Sequence, residues 1–326
     1  MRGKILGLLK KHSGNAVSGQ EMAQYLGVSR IAVWKQIQSL KKLGYQIQSR
    51  RKSGYILGTA PDLLLPEEIK HGLKTRKLGT KIYYLPVIDS TNDYAKKLAQ
   101  AGAPEGTLVI AEKQTRGRGR LGHEWFSPTG QNIYMSLVLR PNLHPAQAVR
   151  ITLLTGVAAA LAVKNYCGID LGLKWPNDLL VAGKDHKKAG GILTELGAES
   201  DRINYVVLGL GLNVNMRVSS LPGEVRKKAA SLMESMKPIA KINRVELLQA
   251  ILLQLEIQYQ LFLSGGWDKI IENYRRLDTL KGRRVNVKQG NEMFSGQVAG
   301  MDNEGRLLVR SGAKTQSVIA GEVHIV

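Results

Sequence analysis

The sequence predicts an α+β chain of several domains: a basic helical domain first, a mixed α/β domain in the middle and a small all-β domain last. Three observations carry this. Residues 1–60 hold eleven lysines and arginines against Glu21 alone, a net of +10 out of +21 for the whole chain. From Lys81 onward, strand-like and helix-like runs alternate as far as residues 265–280. From about Leu280 only short alternating runs remain, separated by QGNE, DNEG and SGAK, with Asn303-Glu304-Gly305 and Ser311-Gly312 as turn signals.

Composition narrows the class. A chain of 326 residues, 43% apolar, can fill two or three cores. Its +21 charge exceeds what solubility needs and calls for a polyanionic partner. Cys167 is the single cysteine, which rules out an internal disulfide or a cysteine-based zinc cluster. The N-terminal MRGKILGLLKKH is too short in its apolar core for a signal sequence. Leu153–Val163, the longest apolar run, falls short of the ~20 residues that span a bilayer. The expectation is a soluble, cytoplasmic protein with no membrane partner.

In the first domain, SGQEMAQYLGVSRIAVWKQIQSLKKLGY reads as two helices joined by a tight turn. Ser18 and Glu21 have capping-box spacing. Gly27 suits the left-handed end of the first helix. Ser29 caps the second, which runs to about Leu43 and buries Val33, Ile37 and Leu40. Lys35, Gln38 and Lys42 project from its opposite face, with Arg30 at the start. The segment YQIQSRRKSGYIL then alternates around a basic tip, Arg50 to Gly54, as the wing of a winged helix-turn-helix would. A short helix, a turn and a basic-faced helix fit a major groove, and a cationic wing tip fits phosphates. Ser29, Arg30, Lys35, Gln38, Lys42, Arg50 and Arg51 are the DNA-binding candidates. The bland alternative is a small helical domain that docks on a protein. GTAPDLLLP, Gly58 to Pro66, marks the boundary, giving domains of 1–60, 66–278 and 279–326.

In the central domain KIYYLPVI, GTLVIAEKQ, IYMSLVLR and INYVVLGLGLNVN read as strands. DYAKKLAQ, capped by Ser90-Thr91-Asn92, and Pro145 to about Tyr166 read as helices. LGLKWPNDLLVAGK and AGGILTEL read as two strands around a basic turn. The loop QTRGRGRLG contains Gly117-x-Gly119-x-x-Gly122, the spacing of a dinucleotide fingerprint. That reading fails, because HEWFSPTG after it excludes the helix and no acid follows near residue 140. No Lys-Ser/Thr follows for a Walker A loop either. What remains is a glycine-loosened loop that can wrap a small ligand and aim Arg116, Arg118 and Arg120 at negative charge, or else a solvated basic loop. Lys174-Trp-Pro-Asn-Asp178 and KDHKKAGG, Lys184 to Gly191, add a carboxylate, an aromatic group and further cations. Together these segments suit a substrate that carries or gains phosphate.

The motifs GRGRLG followed by EWFSP, KWPNDLL, KKAGGIL, GLGLNVN and DSTN, with the winged helix before them, resemble the bacterial biotin protein ligases of the bifunctional subgroup that also repress biotin synthesis. The resemblance covers essentially the whole chain. It implies a class II synthetase-like central domain and an SH3-like C-terminal barrel. It implies ATP-dependent conversion of biotin to biotinyl-5′-AMP with Mg2+, then transfer to a lysine of the biotin carboxyl carrier protein of acetyl-CoA carboxylase or a relative. It further implies an adenylate-bound homodimer on operator DNA. Carried over by position, Ser90, Thr91, Asn92 and Gln114 would bind biotin's ureido ring and neighbouring groups. Gly117, Arg118, Gly119 and Arg120 would form the ordering loop, with Arg120 shielding the adenylate. Lys188 would contact carboxylate and phosphate, Trp125 would cover the adenine and Asn213 would contact the nucleotide. Asp178 would serve transfer or magnesium, and no residue is assigned as a standing metal ligand. His123 replaces an expected basic residue, and Lys184, Lys187 and Lys188 crowd one turn. Two alternatives stay open: a ligand-responsive DNA-binding regulator without ligase activity, and a lipoate-type ligase. Pyrophosphate release and ligand selectivity separate them.

Overall fold

The computed structural model describes residues 1–12, 14–50, 53–183, 186–199 and 202–326. The chain forms two compact units, Met1–Leu73 and Lys74–Val326.

The first unit contains α1 (Arg2–Lys11), α2 (Gly19–Leu26), α3 (Arg30–Lys42), the antiparallel hairpin β1 (Ile47–Arg50) and β2 (Gly54–Leu57), and α4 (Pro66–Gly72). The capping box at the start of α2 is complete: Gln20 N–H donates to the Ser18 hydroxyl, and Ser18 N–H donates to Glu21. Gly27 closes the helix at φ 65°. The Ser29 hydroxyl accepts from Ala32 N–H at 3.1 Å and so starts α3. Val33, Ile37 and Leu40 are fully buried with Ile5, Leu6, Leu9 and Met22. The proline- and glycine-bearing stretch 58–66 is followed by α4, which packs back on this core. Glu67 pairs with Arg2 at 2.6 Å, and Glu68 accepts from both Lys10 and Tyr45 at 2.5 Å.

The second unit is built on a seven-stranded sheet of β3 (Ile82–Ile88), β4 (Leu108–Gln114), β5 (Ile133–Leu139), β6 (Leu171–Lys174), β7 (Asp178–Val181), β8 (Lys188–Ala198) and β9 (Ile203–Leu212). Their order is β3-β4-β5-β9-β8-β7-β6, antiparallel except for the β3–β4 pair. The helix α5 (Thr91–Gln100) covers one face, packing Ala95 and Ala99 on Val109, Val138, Tyr205 and Val207. The helix α6 (Ala148–Cys167) lies on the other, where Thr152 meets Thr194 at 2.8 Å. Although α6 and the turn before it are long and apolar enough to cross a membrane, 72% of that stretch is buried inside the protein. The run LGLKWPNDLLV is itself a hairpin, β6–β7, turning at a cis Trp175–Pro176 bond, so three strands stand where two were expected. After β9 come α7 (Gly223–Lys228), α8 (Leu232–Ser235), α9 (Arg244–Leu263) and α10 (Trp267–Leu277), none anticipated from the sequence. The helix α9 packs on α6 and, through Glu256, collects the amides of Arg76, Lys77 and Leu78 at 2.7–2.8 Å.

Glu256 supplies a pH test. Burial alone would raise its pKa, but three amide donors and the charge of Arg76 outweigh it and hold the carboxyl below its usual range. A depressed carboxyl contributes stability above its unfolded pKa and loses it as pH falls through the folded one. Glu256→Gln is expected to cost about 1–3 kcal/mol near neutrality, measured by denaturant unfolding. That penalty should shrink only as the pH falls below the ordinary glutamate range and through the depressed pKa of the folded carboxyl, where the wild-type group becomes neutral as well.

The C-terminal segment forms an antiparallel sheet of β10 (Arg284–Gln289), β11 (Glu292–Met301), β12 (Leu307–Ser311), β13 (Lys314–Val318) and β14 (Glu322–Ile325), ordered β13-β12-β11-β10-β14. Its β11–β12 turn is gripped by the central domain. Trp175 Nε1 donates to Gly305 O at 3.0 Å, Trp267 Nε1 to Asn303 O at 2.6 Å, and Arg150 pairs with Glu304. This grip fixes the start of β14 at the rim of the cleft described next.

Candidate active site

The cleft lies on the α5 face of the sheet, and glycines make its floor. Gly191 on β8 and Gly209 and Gly211 on β9 leave a strip of sheet without side chains. A Cβ at Gly209 would lie 2.2 Å from Asn92 Oδ1, and one at Gly211 would lie 2.6 Å from Trp125 Nε1. The alternation Gly-Leu-Gly in β9 places both glycines on one face, with Leu208 and Leu210 turned to the other. The empty space of the cleft is about 1050 Å³, which includes its open mouth.

One end is a polar network on neutral groups. The Ser90 hydroxyl caps α5, accepting from Asp93 N–H. Ser136 donates to Asn92 Oδ1 at 2.6 Å, and its hydroxyl oxygen lies 2.8 Å from Thr91 Oγ1. Thr91 N–H and hydroxyl both donate to Gln114 Oε1, and Gln114 Nε2 donates to Ser127. Asn92 Nδ2 donates to Glu195 at 2.9 Å, and Arg118 bridges Glu195 and Asp93. Donors and acceptors alternate there, and the resemblance places biotin's ureido ring at this end.

The other end is cationic. Lys188, first residue of β8, meets Asp178 Oδ1, first residue of β7, at 2.6 Å and lies 5.4 Å from the centre of the Trp125 ring. Trp125 Nε1 is buried without a hydrogen-bond partner, an orphan donor facing the glycine floor. Arg120 donates to Asn177 Oδ1 and to Gly321 O, both at 3.3 Å. Burial pushes the Arg120 guanidinium pKa down, against the pull of Asp178 and Glu322. Burial also lowers Lys174, with Lys188 and Lys228 adding to the effect and Asp178 and Glu322 opposing it. Burial makes both cations costly to keep charged, and the neighbouring lysines add to that at Lys174, so the site gains when an anion enters. His123 meets Glu322 of β14 at 2.9 Å, which ties the arginine loop to the C-terminal sheet.

Ser90, Thr91, Asn92, Gln114, Arg118, Gly119, Arg120, Trp125, Asp178 and Lys188 therefore line one cavity. Asn213 does not: it is 5% exposed and donates to Ala230 O, pinning the end of β9 to the chain before α8. Gly117 stands behind the wall, where a Cβ would lie 2.5 Å from Trp125 O. Lys174, singled out only as a cation of the KWPND segment and given no individual role, lines the cavity with Asn177, Glu322 and His324, while Glu195 and Ser136 organise its polar end; these last five were not selected from the sequence. Spacing could have found Lys174, which pairs with Asp178 across the β6–β7 hairpin. In the first unit, Arg30, Lys35, Lys42 and Arg50 are exposed, Gln38 is half-buried, and the Ser29 hydroxyl is engaged as a cap. Arg51 lies outside the described residues. Among the described residues no group of three His, Cys, Asp or Glu side chains could hold a metal.

Comparison with known proteins agrees with this site. Residues 84–213 match the Biotin/lipoate A/B protein ligase family, residues 2–56 an HTH domain, and residues 281–325 the Biotin protein ligase C terminal domain. The chain is 37% identical over its full length to the bifunctional ligase/repressor BirA of Bacillus subtilis, covering 98% of that protein. It is 31% identical over 99% of its length to the protein of that name from Escherichia coli, covering 96% of it. The structure of a biotin protein ligase from Aquifex aeolicus in complex with biotin and ATP superposes with a TM-score of 0.64 at 25% identity, over 76% of this chain and 99% of that one. This chain belongs to the biotin protein ligase family, within its group of bifunctional ligase/repressors.

Proposed function

We propose that this protein joins biotin to ATP, giving biotinyl-5′-AMP and pyrophosphate, and passes the biotinyl group to a lysine of the biotin carboxyl carrier protein of acetyl-CoA carboxylase or a related carboxylase. With the adenylate bound it acts in the cytoplasm as a homodimeric repressor of the biotin operon. The observation that carries this reading is the cleft itself: a bare glycine floor between a network of polar donors and acceptors and a cluster of half-buried cations.

In the first step the biotin carboxylate attacks the α-phosphorus of ATP and pyrophosphate leaves. Two anions must meet, so the protein supplies positive charge where negative charge builds. Lys188, oriented by Asp178, faces the carboxylate and the α-phosphate. Arg120 covers the phosphate, and Arg118 organises the loop around it through Asp93 and Glu195. Removing one positioned donor of this kind costs about 10²–10³ in rate. Trp125, over the glycine strip, stands where it can cover the adenine, while Thr91, Asn92 and Gln114 hold the ureido ring. In the second step a lysine amine of the carrier attacks the anhydride carbonyl and AMP leaves. The wall formed by Arg120, His123, Gly321 and Glu322 keeps water from the anhydride. Magnesium is normally held by one or two carboxylates together with substrate phosphates. Asp178 is the carboxylate that would hold it here, and the metal would neutralise phosphate charge. Residues 74–278 form the catalytic domain and 279–326 the closing domain, while the DNA-binding unit runs beyond the expected 1–60 to Leu73, because α4 packs on its core.

The test is pyrophosphate release from ATP on adding biotin or lipoate. Release with biotin alone supports the assignment, release with lipoate alone replaces it, and no release with either leaves the regulator-only reading. For the DNA, neutralising Arg30, Lys35, Lys42 and Arg50 together is expected to weaken operator binding. It should also flatten the slope of log affinity against log salt by about 0.9 for each phosphate left without its cation. An unchanged affinity and slope would remove the first unit from DNA binding.

A further inference from the structure

The outer face of α3 is not uniformly basic. Helical spacing puts Ile31, Trp34, Lys35, Gln38 and Lys42 on one face, opposite the buried Val33, Ile37 and Leu40. Ile31 is 67% exposed and Trp34 is 51% exposed. Both stand in the first turn and a half of the helix, and the cations Lys35 and Lys42 follow them. They line a groove between α3 and the β1–β2 hairpin, with Arg30 on one side and Arg50 and Tyr55 on the other. A single exposed apolar residue needs no explanation, but an Ile and a Trp stacked at i, i+3 between arginines form a surface shaped for contact.

We propose that Ile31 and Trp34 read thymine C5-methyl groups in the major groove, so that the operator half-site carries thymine where the first turn of α3 enters. This rests on the repressor reading above. Charge complementarity selects the occupant: the patch sits in a domain of net +10 over residues 1–60, flanked by guanidinium groups that suit phosphates. In helix-turn-helix docking the first residues of the second helix meet base edges, while basic residues elsewhere hold the backbone. The thymine methyl is the apolar group that a base edge offers in the major groove, so an Ile and a Trp in these positions select for it. Lys35 and Lys42, further along the face, position the duplex and carry no sequence information when they meet phosphates.

The experiment uses the full chain with biotin and ATP. A duplex is selected from a randomised pool, and then remade with deoxyuridine in place of thymine at each half-site position. Uracil keeps every hydrogen-bonding group of thymine and lacks only the methyl. Affinity is expected to fall about fourfold for each methyl removed from a position that Ile31 or Trp34 touches. Trp34→Ala and Ile31→Ala should lower affinity for the thymine duplex about tenfold. In these variants the uracil penalty should shrink towards none at that position, while the melting temperature stays near wild type because both side chains are exposed. Equal binding of thymine and uracil duplexes overturns the proposal and leaves the repressor reading intact. So does a full uracil penalty in Trp34→Ala and Ile31→Ala, or a patch that proves to bind a second copy of the chain. Failure to bind any duplex overturns both readings.

Discussion

Replacing Lys188 with alanine is expected to lower biotin-dependent pyrophosphate release by about 10²–10³-fold, with the fold retained. The argument is positional. Lys188 begins β8 and Asp178 begins β7, neighbours in the sheet, so the 2.6 Å ion pair is held by backbone at both ends. The ammonium group therefore stands ready before substrate enters, and little reorganisation accompanies the reaction. Its other neighbour is the Trp125 face, which offers no competing hydrogen bond. Asp178→Asn is expected to slow the same step as well, since it loosens the lysine and removes the carboxylate that would hold magnesium. Single-turnover release of pyrophosphate is the measurement, with thermal unfolding as the control. Release within threefold of wild type would take Lys188 out of the adenylation step.

The largest effect on stability is expected at Arg244. This residue opens α9, is fully buried, and donates at 2.9 Å both to Glu112 on β4 and to the carbonyl of Asn132. Glu112 is 2% exposed and lies two residues before Gln114 of the site. Arg244→Met removes the cation that faces Glu112 in a buried site and is expected to cost about 3–5 kcal/mol. In a domain of this size that is a drop of roughly 10 °C in Tm. The double variant Arg244→Met/Glu112→Leu should recover most of the loss, because neither buried charge then remains. If the single variant melts within two degrees of wild type, the pair contributes little to the fold.

The legible parts of this protein are those whose signal is local. Ser18, Ser29 and Ser90 announce helix starts because a side-chain oxygen three residues from an amide has one use there, and all three cap as their spacing requires. The strands IYYLPVI, IYMSLVL and INYVVLGLGL were legible as β-branched and aromatic runs bounded by turn residues. The arginine loop was legible by exclusion, since the chain after Gly122 could not supply the helix that a dinucleotide needs. What stayed hidden depends on distant partners. The helix α9 buries one face, but Arg244, Glu256 and Gln258 stand among the leucines of that face while Ile257 and Leu263 are exposed, so the apolar stripe that marks an amphipathic helix is blurred. Lys174 looked like part of a surface turn until the β6–β7 hairpin brought it opposite Asp178. Glu322 and His324 sit in a segment without chemistry of its own, and enter the cleft only because Trp175, Trp267 and Arg150 grip the β11–β12 turn. Asn213 shows the reverse: the family resemblance implied a nucleotide contact there, and its side-chain amide donates to the Ala230 carbonyl.

The central claim is that one adenylate, made in the glycine-floored cleft, is both the intermediate of carrier modification and the signal to the first unit. It is tested most directly by binding to labelled promoter DNA of a biotin synthesis gene with protein alone, with biotin, with ATP, and with both. The account predicts tighter binding with both together and little change with either alone, and loss of that gain in Lys188→Ala. Equal affinity in all four conditions, with carrier biotinylation intact, would contradict it.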